Sequence, residues 1–176
     1  MSTEGTMGID TQRLMRYVDV AWDESVVPAL CEYIRIPNKS ANFDPDWEQH
    51  GHMDRAAELM HRWCEAHALP GMQLEIVRLP GRSPLLFVEV PASAGAGADA
   101  QASGCVLMYG HMDKQPEFTG WDEGLAPWTP VIRDGRLYGR GGADDGYAIF
   151  GCLLALRALA DQSIAHARCV IIIEAS

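Results

Sequence analysis

Two segments of the chain combine residue types that bind metal ions. The first is the apolar run Val106–Asp113, which ends in a His-x-Asp pair formed by His111 and Asp113. The second is the glycine-rich stretch Gly139–Asp145, which ends in two adjacent carboxylates. Zinc and similar metals accept a mixture of imidazole and carboxylate ligands. The two segments therefore predict that a metal site lies between them.

The histidine of the first segment follows a predicted strand. Ligands of open α/β sheets bind at the carboxyl ends of strands, which is where His111 lies. In extended backbone, the side chain of Asp113 leaves on the same side as that of His111. Its carboxylate could accept the second ring N–H, fix the tautomer and raise the basicity of the imidazole. A loop histidine beside a solvated aspartate remains the alternative.

The two aspartates of the second segment receive different predictions. Glycine permits positive φ and close backbone approach, so a side chain after Gly139, Gly141 and Gly142 can be directed into a tight site. Asp144 is the candidate metal ligand, because a carboxylate can bridge two metal ions, and paired ions activate water for hydrolysis. Asp145 is expected to cap the helix that follows.

A second copy of the same four letters provides an internal comparison. Gly51–Asp54 repeats the Gly-His-Met-Asp of Gly110–Asp113. The first copy follows a polar loop and opens a predicted helix, where Asp54 interacts with the helix N-terminus. We therefore predict surface groups at His50, His52 and Asp54, and no metal ligands.

Composition excludes several classes of function. The chain has 176 residues, 48% of them apolar, which is enough for one sizeable core. A net charge of −10 argues against a nucleic-acid partner. Five cysteines without a C-x-x-C pair predict reduced thiols. No signal peptide and no membrane-spanning run is evident, so a cytoplasmic location without a membrane partner is expected.

Hydrophobic periodicity predicts helices that alternate with strands. Helices are expected over Ile9–Ile36, with a bend or a fresh helix start near Asp23, over Met53–Ala68 and over Tyr147–Ala160. Strands are expected over Gln73–Leu79, Leu85–Val90, Cys105–Tyr109 and Arg168–Ile173, a hairpin over Val131–Tyr138 with its turn at Asp134-Gly135, and a surface loop over Ala92–Ser103. The wholly apolar Cys105–Tyr109 predicts a central strand that is buried on both faces. The fold class is α/β, with a layered mixed sheet and flanking helices.

The motifs resemble those of a known family. Gly110–Pro116, Trp128–Ile132 and Asp134–Gly146 are similar to segments of the zinc peptidase family of carnosinase, bacterial dipeptidases, carboxypeptidase G and aminoacylase. The resemblance implies that His111 is a metal ligand, that Asp144 bridges two ions, and that Asp113 orients His111 and is needed for catalysis. The lysine that usually follows the family's second aspartate is replaced by Gly146.

The resemblance also implies a fold and an activity. It implies a zinc-exopeptidase-like catalytic domain that hydrolyses dipeptides or short peptides, with two Zn²⁺ ions that Co²⁺ or Mn²⁺ could replace. Residues 1–176 would form its amino-terminal part, without the rest of that domain and without the lid and dimerisation domain through which a full-length parent could form a homodimer. Glu174 would precede the general base. We therefore expect the isolated chain to be inactive.

Two alternatives remain open at this stage. The substrate could be an N-acyl amino acid, which would make the protein an amidohydrolase of the same superfamily. Alternatively, the chain could be a non-catalytic remnant that binds a partner or a single metal ion, or a truncated product without function.

Overall fold

The structure is a computed structural model that describes residues 8–93 and 104–176. The loop predicted over residues 92–103 lies mostly outside these ranges. The helices are α1 (Thr11–Ala21), α2 (Val27–Ile34), α3 (Trp47–His50), α4 (His52–Ala66) and α5 (Ala148–Asp161). The strands are β1 (Gln73–Val77), β2 (Leu85–Val90), β3 (Cys105–His111), β4 (Val131–Arg133), β5 (Arg136–Tyr138) and β6 (Arg168–Glu174).

Four strands form the main sheet, in the order β1-β2-β6-β3. β2 pairs antiparallel with β1 and with β6, whereas β3 pairs parallel with β6. Helix α4 contacts β1 and β2, and α5 contacts β3 and β6. The predicted α/β class, with a mixed sheet and flanking helices, is confirmed.

The regular α-helix of the first helical segment is interrupted near Asp23, as predicted, and a new α-helix starts after the interruption. The side chain of Asp10 caps α1 by accepting from the backbone N–H of Arg13 at 3.0 Å. One π-helical turn, Trp22–Val26, then separates α1 from α2. Pro28 lies in the first turn of α2, the helical position that proline favours.

One strand differs from its prediction. β3 lies at the edge of the main sheet and is not central, and its Val106, Leu107 and Tyr109 are 49%, 64% and 64% exposed. Within residues 8–93 and 104–176, only β6 pairs with β3. An apolar run predicts that a strand has buried neighbours, but it carries no information on sheet order. The central strands are β2 and β6.

The core forms where these central strands meet the helices. Leu86, Val88 and Val90 of β2 are buried and pair in register with buried Ile173, Ile171 and Cys169 of β6. This alternation covers one face of the sheet with apolar side chains. Helices α4 and α5 contribute further buried side chains to the same core, among them Met60, Trp63, Phe150 and Leu153.

The small hairpin of β4 and β5 turns as predicted. Asp134 and Gly135 have φ values of 52° and 71°, as a type I′ turn requires. The hairpin directs the chain back toward the glycine-rich stretch that follows β5.

A lysine, Lys114, is fully buried at a position where an apolar side chain would be expected. Lys114 is 0% exposed, and its Nζ donates to the carbonyl oxygens of Tyr33 at 2.7 Å and Ile36 at 2.6 Å. A longer contact, of 3.4 Å, reaches the carbonyl oxygen of Ile34. The amine therefore bonds to carbonyl groups at the end of α2 and just after it, where helix carbonyl groups have no partner within the helix.

In the two described ranges, every helix is too short or too polar to cross a membrane.

The central strand β6 should be sensitive to the loss of side-chain volume. Ile171→Ala removes a fully buried side chain and is expected to lower the free energy of unfolding by about 2–5 kcal/mol. The matched variant Ile132→Ala changes a residue that is 61% exposed, and it should cost less than about 0.5 kcal/mol. Urea unfolding measures both, and equal losses would contradict the assignment of the core.

The buried lysine should make stability depend on pH. Burial lowers the pKa of the Lys114 amine to about 6, although the carbonyl oxygens and the Tyr33 ring act in the opposite direction. Between this value and its ordinary pKa, the unfolded chain binds one more proton than the native chain. The free energy of unfolding therefore rises with pH in this window, by at most about 1.4 kcal/mol per pH unit.

Substitution of this lysine should remove that dependence. Between about pH 7 and about pH 10, we expect the free energy of unfolding of the wild type to rise relative to that of Lys114→Met. Urea unfolding at several pH values measures the difference, and a constant difference would contradict the prediction.

Candidate active site

The end of β3 presents a histidine whose two ring nitrogens both face carboxylates. Nδ1 of His111 lies 3.1 Å from Oδ1 of Asp113 and 3.2 Å from the Asp113 carbonyl oxygen. Nε2 lies 3.3 Å from Oδ1 of Asp144. If Nδ1 carries the proton and donates it to Asp113, the lone pair of Nε2 points toward Asp144. The structure thus brings together His111, Asp113 and Asp144, the three site residues that the sequence predicts.

Burial and charge shift the pKa values of this group in known directions. Burial lowers the pKa of His111, whereas the carboxylates of Asp113, Asp145 and Asp144 raise it. Together the carboxylates outweigh burial, so the pKa lies above its ordinary value. Burial raises the pKa of Asp113, and His111 opposes that shift only in part. Asp113 is 5% exposed, so its carboxylate interacts with the imidazole in surroundings of reduced solvent screening.

Asp145 does not cap a helix, contrary to the prediction. Its Oδ2 accepts from the backbone N–H of His111 at 3.2 Å, and the N-terminus of α5, at Tyr147, has no side-chain cap. The prediction was wrong because the sequence shows only that Asp145 precedes a helix. It does not show that the end of β3 lies beside the Asp145 carboxylate and offers it a backbone N–H. Asp145 instead ties the turn before α5 to the end of β3.

That tie requires a glycine at the end of β3. A Cβ atom on Gly110 would lie 2.5 Å from Cβ of Ala148 and 2.8 Å from Oδ2 of Asp145. Both distances are well below van der Waals contact, so only glycine allows this approach of β3 to the turn. The closeness of His111 to Asp144 thus depends on a position without a side chain.

The turn itself exposes the second candidate ligand. Gly141 has a φ of 85°, in the left-handed region, and its carbonyl oxygen accepts from the N–H of Gly146 at 2.8 Å. The intervening backbone carries Asp144 outward, where its side chain is 61% exposed. An exposed carboxylate beside a half-buried imidazole can contact both a metal ion and solvent.

The loop after α2 supports the His-x-Asp segment from behind. The Tyr33 hydroxyl donates to the Met112 carbonyl oxygen at 2.7 Å. The backbone N–H of Lys114 donates to Asn38, and its carbonyl oxygen accepts from Ser40, each at 3.0 Å. This support is not evident from the sequence, because Pro37–Ser40 shows no motif and its partners lie far away in the chain.

Glu174 lies next to the site at the end of β6. It pairs in register with His111, and its Oε1 accepts from the Tyr109 hydroxyl at 2.7 Å. The side chain is therefore held by a neighbour on β3, and it adds a fourth carboxylate to the surroundings of His111.

The second Gly-His-Met-Asp copy has a different environment. His52 and Asp54 are half-exposed on α4, and Oδ1 of Asp54 accepts from Nε of Arg78 at 2.9 Å. Asp54 thus forms a surface ion pair, whereas Asp113 is buried beside an imidazole. His50 is bonded to Asp44 at 2.8 Å and is half exposed.

The donor set at His111 suits part of a metal site. An imidazole nitrogen with its other nitrogen bonded to a carboxylate, facing a second carboxylate, is an arrangement that zinc ligands adopt. In the described ranges, no group of three or more His, Cys, Asp or Glu side chains is arranged to hold a metal ion. His111 and Asp144 therefore fit as two ligands of a site that needs further donors.

Comparisons with known proteins agree with this geometry. Residues 107–175 match the model for Peptidase family M20/M25/M40. The chain is 31% identical over 136 residues to Beta-Ala-His dipeptidase of Homo sapiens, an alignment that covers 76% of the chain and 26% of the relative. The chain therefore spans about a quarter of the length of this curated relative.

Two solved structures show the same fold. The crystal structure of human carnosine dipeptidase 1 matches with a TM-score of 0.64 and 24% identity, over 95% of this chain and 35% of that one. An M20 family metallo-carboxypeptidase from Sulfolobus solfataricus matches with a TM-score of 0.64 and 21% identity, over 86% and 30%. The family match and the sequence relative support a carnosinase-like M20 metallopeptidase, and the two solved structures show that the chain has the corresponding fold.

Proposed function

We propose that the protein hydrolyses the peptide bond of dipeptides or short peptides in a metal-dependent reaction. The observation that carries the proposal is the arrangement of His111, with Nδ1 bonded to Asp113 and Nε2 facing Asp144. Two Zn²⁺ ions, which Co²⁺ or Mn²⁺ could replace, would supply a water of lowered pKa and polarise the substrate carbonyl when bound.

Each residue of the arrangement has a proposed role. His111 Nε2 and the Asp144 carboxylate would hold metal, with Asp144 shared between the two ions. Asp113 accepts from His111 Nδ1, keeps the proton on that nitrogen and leaves Nε2 free as a ligand. Its burial keeps water from competing for the same hydrogen bond. The general base of the reaction is assigned to no residue of this chain.

The substrate class is supported by the sequence relative. The name of Beta-Ala-His dipeptidase states a dipeptide substrate, and this relative is 31% identical to the chain over 136 residues. This similarity favours a dipeptide over an N-acyl amino acid. A panel of dipeptides and N-acyl amino acids with the full-length protein would test the preference, and faster turnover of the acyl amino acids would overturn it.

The remaining assignments belong to the same proposal. We assign residues 1–176 to the amino-terminal part of a catalytic domain, as the resemblance of the motifs implies; the chain covers 35% of human carnosine dipeptidase 1. Five free cysteines are compatible with a cytoplasmic location. The net charge of −10 speaks against nucleic acid as a partner.

Loss of either proposed ligand should remove metal and activity together. We expect His111→Ala and Asp144→Asn to weaken Zn²⁺ binding by more than about 100-fold, beyond the usual loss for residues that only support a ligand. Calorimetric Zn²⁺ titration of the metal-free full-length protein and a dipeptidase assay measure the two effects. The control is His52→Ala, in the duplicated motif, which should bind Zn²⁺ like the wild type. Equal behaviour of His111→Ala and His52→Ala would refute the assignment.

The orienting aspartate should have a smaller effect than a ligand. Asp113→Asn keeps an acceptor for His111 but removes the negative charge, so Zn²⁺ affinity is expected to fall by about 10- to 100-fold. Asp54→Asn makes the same change in the duplicated motif, where Asp54 pairs with Arg78 at the surface, and should leave affinity unchanged. If Asp113→Asn also bound Zn²⁺ with wild-type affinity, Asp113 would not orient His111.

A further inference from the structure

The Lys114 side chain joins the end of α2 to the site. Its Nζ approaches three acceptors, the carbonyl oxygens of Tyr33, Ile34 and Ile36, and lies 3.9 Å from the centre of the Tyr33 ring. A helix C-terminus favours such a donor, because its last carbonyl groups have no partner within the helix and carry partial negative charge. The bonds hold the Lys114 amine in one position.

The same side chain is a packing surface for the glycine-rich turn. A Cβ atom on Gly141 would lie 2.6–2.8 Å from Cγ, Cδ and Cε of Lys114. A Cβ atom on Gly146 would overlap the Tyr33 ring, over which the amine lies. The turn that carries Asp144 therefore rests directly on Lys114 and Tyr33, with no side chain in between.

The backbone of Lys114 is held as firmly as its side chain. It forms an isolated bridge with Lys39, through its bonds to Asn38 and Ser40. Met112, between His111 and Asp113, is held by the Tyr33 hydroxyl. The end of α2, the His-x-Asp segment and the glycine-rich turn thus meet at one lysine, three positions after His111.

We propose that Lys114 is a positioning residue that holds the His-x-Asp segment and the Asp144 turn at the separation that metal binding requires. The expected effect on metal affinity rests on the proposed function, whereas the positioning of the two segments does not. Lys114 touches neither His111 nor Asp144 by side chain. It acts through the backbone on one side and through the packed glycines on the other.

Two measurements on the full-length protein test the proposal. Lys114→Met keeps the length of the side chain and removes its donors. In the metal-free protein, we expect amide hydrogen exchange at 111–114 and 141–146 to accelerate by at least about tenfold, because the closed arrangement opens more often. In Zn²⁺ titration, we expect affinity to fall by about 10- to 100-fold, as for other residues that support a ligand.

Two further variants separate positioning from general damage. Lys39→Met removes the lysine that is bridged to Lys114 through the backbone. The Nζ of Lys39 binds Glu117 at 3.2 Å, away from the helix end, and the variant should change neither measurement. Lys114→Arg keeps donors for the carbonyl oxygens and should bind Zn²⁺ more tightly than Lys114→Met. Wild-type exchange and affinity in Lys114→Met would overturn the proposal, as would equal losses in Lys39→Met.

The design also distinguishes this proposal from the proposed function. If the wild type binds no Zn²⁺, the proposed function fails, while hydrogen exchange in the metal-free protein still decides whether Lys114 positions the two segments. If circular dichroism shows that Lys114→Met does not fold, Lys114→Gln replaces it, with the same expected results. The glutamine side chain is too short for its amide to reach the same carbonyl oxygens.

Discussion

The site depends on how closely the end of β3 approaches the turn before α5. Gly110 leaves room for the Asp145 carboxylate, which accepts from the His111 backbone, and a Cβ atom there would meet Ala148 at 2.5 Å. This contact places Asp144 within 3.3 Å of the imidazole. Any side chain at position 110 would separate the two segments, and the imidazole would lose one of its two carboxylates.

A second constraint is the need to satisfy the end of α2. Its last carbonyl groups lie inside the protein, where an unpaired acceptor is costly. Lys114 bonds to carbonyl groups there, at the cost of burying an amine whose pKa falls to about 6. The same interaction that completes the helix also supports the glycine-rich turn, so fold stability and site geometry share one residue.

Much of the architecture could be predicted from local pattern. The helix interruption before Pro28, the strand Leu85–Val90 and the Asp134-Gly135 turn follow from periodicity and backbone preference, and the structure contains all three. The position of β3 could not be predicted, since sheet order depends on which strands approach each other across long separations. Apolar composition alone does not distinguish β3 from the central strand β6.

The same division applies to the site. Residue type and spacing identified His111, Asp113 and Asp144 as a group, because the short-range requirements of an imidazole ligand and its orienting carboxylate are visible along the chain. Only the tertiary structure decided that Asp145 binds the His111 backbone and that Lys114 lies among the carbonyl groups of α2. The first contact joins residues that are 34 positions apart, and the second joins residues that are 81 positions apart. The local sequence does not indicate which residues form such distant pairs.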